Sequence, residues 1–291
     1  MVWEEKMWLQ PRIHYAHVED ELQDASLIHA STDSDGTLNV DRDLLTYALG
    51  WRYQVIPTLT SRLTLGSYTR LPEFDELFGD TGDVVGNPQL EEERSSNLDM
   101  GFHYSPEGLD MDIDLGYFYR SSKNLIQRRS YGDYLIAENI GKSEINGLEF
   151  WVSWHMFSDR LFYRFSLAYQ RALNKSDETV FRKNRYYDKM LPYHPEWQAD
   201  ACVRYKITDR ISTAWKMAYE SESYKGPSNL EDEKIESRAI HDLELSFKLW
   251  KNTELRLEAS NLGDEQASDR WGYPKPGRAF YATLKWNYGK D

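Results

Sequence analysis

Leu109-Asp110-Met111-Asp112-Ile113-Asp114-Leu115-Gly116-Tyr117 places an apolar residue at every odd position and an acidic or small one at every even position. Successive side chains of an extended strand leave opposite faces, so this order sorts into one apolar and one polar face, whereas a helix would scatter it around its circumference. The pattern recurs. Leu243, Leu245, Phe247 and Leu249 alternate with Asp242, Glu244, Ser246 and Lys248; Leu255, Leu257 and Ala259 alternate with Glu254, Arg256 and Glu258. Ile211, Trp215, Met217 and Tyr219 alternate with Ser212, Ala214, Lys216 and Glu220. The fold class is all-β.

Reading outward on this basis gives about twelve strands, near 7–18, 44–56, 60–70, 94–105, 109–120, 142–157, 160–173, 196–207, 210–221, 238–250, 253–262 and 278–288. Short connections at Pro57-Thr58-Leu59, Pro106-Glu107-Gly108, Ser158-Asp159, Thr208-Asp209 and Lys251-Asn252 alternate with long ones near 19–43, 71–93, 121–141, 174–195, 222–237 and 263–277. Transmembrane barrels alternate in this way, with tight periplasmic turns at one end and long outer loops at the other. The reading is therefore an antiparallel transmembrane β-barrel wall occupying residues 1–291. It puts Leu115, Trp215, Phe247 and Leu257 on the convex surface, and Asp112, Lys216, Glu244 and Arg256 on the concave one. A soluble sandwich mixes its loop lengths more freely and uses shorter strands, and no propeller-like repeat is visible.

Composition agrees. No apolar run is long enough for a spanning helix, and a mean hydropathy of -0.72 does not count against a barrel, because only alternate residues meet lipid. The 20 Tyr and 10 Trp suit interfacial girdles. A net charge of -13 argues against a nucleic-acid partner. The single cysteine, Cys202, permits no intramolecular disulfide and no cysteine-based metal cluster, and reads as a small strand residue. Met1-Val2-Trp3-Glu4-Glu5-Lys6 does not read as a signal peptide, so an exported barrel is expected to be longer than these residues.

Five stretches carry a resemblance. Ser67-Tyr68-Thr69-Arg70-Leu71-Pro72-Glu73-Phe74-Asp75-Glu76-Leu77-Phe78-Gly79 is followed by Gly86-Asn87-Pro88-Gln89-Leu90-Glu91-Glu92-Glu93. Asn139-Ile140-Gly141-Lys142-Ser143-Glu144-Ile145-Asn146-Gly147-Leu148-Glu149 opens a long strand. Near the end stand Asn261-Leu262-Gly263-Asp264-Glu265 and Gly272-Tyr273-Pro274-Lys275-Pro276-Gly277-Arg278. In this order they resemble the barrel of TonB-dependent receptors. The resemblance implies a wall of about 22 strands enclosing a plug domain, with neither the plug nor about ten of the strands among these residues. It also implies an outer-membrane location in a Gram-negative bacterium, contact with membrane lipid, coupling to TonB through the plug, and reading of the terminal aromatic strand by the barrel-assembly machinery. That strand puts Phe280, Leu284, Trp286 and Tyr288 on one face, but Gly289-Lys290-Asp291 follow it, a departure from the family's aromatic finish.

The same resemblance implies uptake of a ferric siderophore or a similarly scarce nutrient, held by outer loops, with no bond broken and no cofactor. The candidate contacts are Arg128, Arg129 and Tyr131 in one loop and Arg182, Lys183, Arg185, Tyr186 and Tyr187 in another, where cations beside aromatic rings would hold an anionic chelate. Lys175, Lys189, Tyr134 and Tyr193 lie in the same loops, and Asp177, Glu178 and Asp188 balance the second. No histidine falls between Arg70 and Pro88, which disfavours haem, and His194 reads as a turn or girdle residue. Two alternatives remain: a passive porin-like barrel, and an outer-membrane phospholipid hydrolase using Ser153 and His155, which share a face but lack a nucleophile-elbow motif. The acidic runs at 91–93 and 230–234 read as solvated loop.

Overall fold

A computed structural model describes residues 2–3, 6–22, 38–79, 84–131, 134–139, 141–176, 178–179, 182–183, 185–250, 252–270 and 273–287. Twelve long strands follow one another: β1 (Met7–Leu22), β2 (Leu38–Ile56), β3 (Leu59–Arg70), β4 (Glu93–Tyr104), β5 (Asp110–Lys123), β6 (Lys142–Met156), β7 (Leu161–Asn174), β8 (Trp197–Lys206), β9 (Ile211–Glu220), β10 (Arg238–Trp250), β11 (Thr253–Ser260) and β12 (Ala279–Trp286). Each pairs antiparallel with its neighbour in sequence, and a two-residue strand, Val2–Trp3, pairs with β1. All twelve expected strands are present. The sheet is open, with Val2–Trp3 and β12 at its edges.

Two strands exceed their expected bounds by four residues or more. The β1–β2 ladder continues to Leu22↔Leu38, beyond the apolar alternation that marked it. Polar cross-strand contacts carry the extension: Tyr15 Oη donates to Asp43 Oδ1 (2.8 Å), His17 Nδ1 lies 3.0 Å from the same oxygen, and Arg42 Nη1 is 3.4 Å from Asp20 Oδ2. An alternation of apolar with polar residues cannot register a ladder whose exposed face turns polar.

Register sorts the sheet into two faces. Directly opposed residues point the same way, and the sequence Leu49↔Leu65↔Leu98↔Tyr119 across β2 to β5 stays on one face. So does Phe102↔Leu115↔Phe150↔Leu167 across β4 to β7, and so does Val203↔Trp215↔Leu243↔Ala259↔Phe280 from β8 to β12. The other face carries His103↔Asp114↔Trp151↔Ser166↔Asp200 and Ala214↔Glu244↔Glu258↔Tyr281. Leu115, Trp215, Phe247 and Leu257 thus share the apolar face, while Asp112, Lys216, Glu244 and Arg256 share the polar one. Leu148 (52%), Phe102 (51%) and Leu115 (48%) are solvent-accessible in the isolated chain. An apolar surface spanning every strand exceeds what a soluble monomer exposes.

The polar face supplies its own compensation. Arg62 reaches from β3 across β4 to Asp114 on β5 through paired bonds of 2.5 and 2.6 Å. Gly101 and Gly116, opposed in the next two strands, leave the room for it: a Cβ on Gly101 would sit 2.8 Å from the Arg62 guanidinium and from the Leu115 carbonyl. Farther along, Glu244 is met by Lys216 (3.6 Å) and Arg256 (3.3 Å).

Short connections close one end. The turn between β6 and β7 passes through Phe157, Ser158 and Asp159, all left-handed (φ 55, 53 and 63°), and that between β4 and β5 through Gly108 (φ 77°). The described parts of the long connections lie at the other end and contain structure that alternation did not reveal: a helix, α1 (Phe74–Phe78), and several short strand pairs. Tyr288 and Gly289-Lys290-Asp291 lie outside the described residues. Gly101→Val should displace Arg62 and lower stability by about 1–3 kcal/mol, read as a lower denaturant midpoint in detergent; an unchanged midpoint would mean that the Arg62 crossing is not structural.

Candidate functional site

The loop end is built by side chains that replace missing strand partners. α1 is too short to hold itself together; it is fixed by burial of Leu77 and Phe78 against Leu90, Ile126 and Ala137. Its buried Glu76 accepts from the Glu73 backbone N–H (2.8 Å) and from Arg70 (3.2 Å). Gly79 ends the helix at φ 80°, and Gly86 is crossed so closely that a Cβ there would lie 2.5 Å from the Leu77 carbonyl. Val84 and Val85 then pair in parallel with Leu135 and Ile136, joining the loop after β3 to the hairpin Ile126–Tyr131/Tyr134–Asn139 after β5.

Asn139 locks this junction. Its Oδ1 accepts from Glu91 N (2.9 Å) while its Nδ2 donates to Glu91 O (3.0 Å) and Asn124 O (2.8 Å). Asn87 Nδ2 adds a bond to Ala137 O (2.9 Å), and Arg42 reaches up from β2 to Leu90 O (3.3 Å). Asn229 repeats the arrangement between the next two loops: its Oδ1 accepts from Met190 N (2.7 Å) and its Nδ2 donates to Met190 O (3.0 Å). Ser176 Oγ accepts from Lys142 N (2.9 Å), tying the loop after β7 to the foot of β6. At the last loop the buried Asn261 accepts from Glu265 N (2.8 Å) and donates to Glu265 O (2.9 Å). Four asparagine amides thus stand in for ladder partners, which their paired donor and acceptor allow.

The sequence-predicted contact residues fall into two of these assemblies. Arg128 Nη2 is 2.6 Å from Asp75 Oδ2 and 3.7 Å from Glu73 Oε2, clamping the hairpin to α1. The backbones of Arg129 and Tyr131 pair with Ile136 and Tyr134, and those of Arg182 and Lys183 with Thr179 and Glu178; the side chains of these four residues lie outside the described residues. Arg185 lies over the ring of Tyr186, 4.7 Å from its centroid, and Lys175 Nζ is 5.6 Å from the centroid of Tyr187. The Lys175–Asp188 bond (2.6 Å) holds the ammonium above its ordinary pKa and the carboxylate below its own. His194 bonds Pro192 O (2.8 Å), as a turn residue would. Ser153 and His155 share the polar face, where His155 Nδ1 lies 3.3 Å from Asp110.

A sequence model of the TonB-dependent receptor-like β-barrel matches residues 21–262. The chain belongs to the TonB-dependent receptor barrel family. Among curated relatives, a ferric enterobactin receptor of Pseudomonas aeruginosa is 26% identical over 238 residues, 68% of this chain and 30% of the receptor. A vitamin B12 transporter, BtuB, of Vibrio vulnificus is 21% identical over 251 residues, 84% of this chain and 36% of the transporter. The TonB-dependent receptor chain thus spans about a third of the length of these relatives. Among solved structures, the copper transporter OprC superposes with a TM-score of 0.77 at 18% identity, covering 98% of this chain and 45% of OprC. The siderophore receptor PiuA of Acinetobacter baumannii gives 0.76 at 16%, covering 97% and 41%. The named relatives are receptors and transporters.

The motifs that resemble this TonB-dependent receptor family are the loop fasteners: Glu76, Gly79 and Asn87 in the first two, Asn139 in the third, Asn261 in the fourth. Asn229 and Arg42 escaped the sequence reading, and only an asparagine in a long polar loop, next to a turn signal, hinted at the former. Asn139→Ala should leave Glu91 without both partners, costing about 1–3 kcal/mol locally. Limited proteolysis should then cut within 71–92 and 124–141 while the strands stay protected; loops as resistant as in the parent would contradict the assignment.

Proposed function

We propose that the chain is part of the wall of an outer-membrane uptake receptor, one that binds an anionic ferric siderophore or a comparable scarce nutrient with its loops and passes it along its polar face under TonB control. The observation that carries this reading is the two-faced sheet: an apolar surface across every strand, a charge-compensated polar surface behind it, and long loops at one end, two pairs of which are fastened to each other. Hydrocarbon outside and water within is the environment that stabilises such a wall, and family membership supplies the transport class. The tight turns then face the periplasm and the knitted loops the exterior. Membrane lipid covers the apolar face, TonB acts through a plug domain, and the barrel-assembly machinery inserts the wall.

Ligand contact is assigned to the cation–aromatic loop: Arg182, Lys183, Arg185, Tyr186 and Tyr187, with Arg129 and Tyr131 as neighbours in the hairpin. Tyr187 is 38% exposed, and Arg185 lies over the Tyr186 ring while one of its terminal guanidinium nitrogens donates to the Tyr186 hydroxyl, leaving the other for an anion. Arg128 is also assigned here, its charge shared with Asp75.

In cells that carry the gene encoding this chain as their sole receptor, with and without TonB, accumulation of radiolabelled ferric enterobactin, vitamin B12 and cupric ion discriminates the readings. The ferric chelate should accumulate only when TonB is present, and Arg185→Ala with Tyr187→Ala should raise its half-saturating concentration about tenfold, equivalent to ~1.4 kcal/mol. Equal, TonB-independent entry of all three would establish a porin-like barrel instead.

A further inference from the structure

At the turn end of the polar face, far from the loops, Arg160, Arg204 and Lys206 converge on a cleft of about 360 Å³ completed by Asp110, Asp159, His155 and Phe162, so that three cations outnumber two carboxylates. Lys206 sits beside Arg160, its N–H donating to the Arg160 carbonyl at 2.8 Å. Arg204 lies opposite Phe162 on β7, its guanidinium 5.7 Å from the ring centroid, and that ring packs 4.7 Å from the His155 ring. The aromatic stack therefore fixes where the Arg204 charge points. Among the described residues, none of Arg160, Arg204 and Lys206 has a carboxylate partner.

Elsewhere on this face the sheet does not tolerate like charges unrelieved. Arg52 and Arg62 are directly opposed, but Arg62 pairs with Asp114 at 2.5 Å and Arg52 covers the Trp8 ring at 5.4 Å. Glu244 and Glu258 are directly opposed, but Lys216 and Arg256 meet the first and Ser260 Oγ donates to the second at 3.1 Å. Like charges across a strand pair cost stability. The chain has 48 acidic residues to 35 basic, and Asp110 and Asp159 line the cleft, yet among the described residues no carboxylate lies within ion-pair distance of these three cations.

We propose that the cleft binds a small polyanion, a molecule with two or more carboxylate, catecholate or phosphate oxygens, held by Arg160, Arg204 and Lys206 with Phe162 as its floor. The proposal rests on the reading of the polar face as the inside of an uptake wall; it adds a second anion station near the exit. Paired oxygens suit the fork of Arg204, and a compact anion suits the point charge of Lys206.

Calorimetric titration of inorganic pyrophosphate into the purified chain in zwitterionic detergent tests this, with citrate as a second probe. Arg204→Gln and Lys206→Gln should each weaken binding about tenfold, while Asp110→Asn, which removes a negative charge from the cleft, should tighten it; misfolding would not produce a gain. Arg185→Ala in the loops should leave it unchanged. Absent binding, binding indifferent to these cleft substitutions, or tighter binding of an acidic peptide than of pyrophosphate would overturn the proposal. Cleft binding of pyrophosphate without TonB-dependent uptake would sink the transport reading alone, and uptake without cleft binding would sink this one alone.

Discussion

Every backbone N–H and C=O that crosses hydrocarbon must be bonded within the protein, because no water is there to receive it. The ladder of twelve long strands meets this demand between neighbours, and it fixes everything that follows. Once the backbone is committed to extended pairing, side chains can only alternate, so one face of the wall is set by what lies outside and the other by what lies within. The opposed sequence Phe102, Leu115, Phe150 and Leu167 and the opposed sequence His103, Asp114, Trp151 and Ser166 are consequences of one ladder.

Where the ladder stops, the problem returns in another form. Loops at the mouth of the wall expose backbone groups whose partners are no longer given by register. The chain answers with amides: Asn139 on Glu91 and Asn229 on Met190 each grip both polar groups of one residue. Glu76, Gly79 and Gly86 fix a five-residue helix in the same place. These fasteners hold long polar segments in place at the mouth of the wall, while the strands beneath carry the stability.

The sheet was legible in the sequence because alternation is a local signal and each strand repeats it. Loop lengths were legible too, since short and long connections trade places at every strand end. What escaped was non-local. The extension of β1 and β2 rests on Tyr15, His17, Arg42 and Asp43, polar residues that no apolar pattern marks. Arg128 looked like a free cation in a basic loop, but Asp75, over fifty residues away, holds it. The Arg62–Asp114 crossing depends on two glycines in separate strands, and a single sequence does not show that they are opposed.

The central claim is that one face meets lipid and the other water. With Cys202→Ser as background, single cysteines at positions 111 to 116 carry an environment-sensitive fluorophore, and the protein is reconstituted with brominated lipid. Quenching should be strong at Met111, Ile113 and Leu115 and weak at Asp112, Asp114 and Gly116, alternating from one residue to the next. Uniform quenching, or quenching strongest at the acidic positions, would contradict the account.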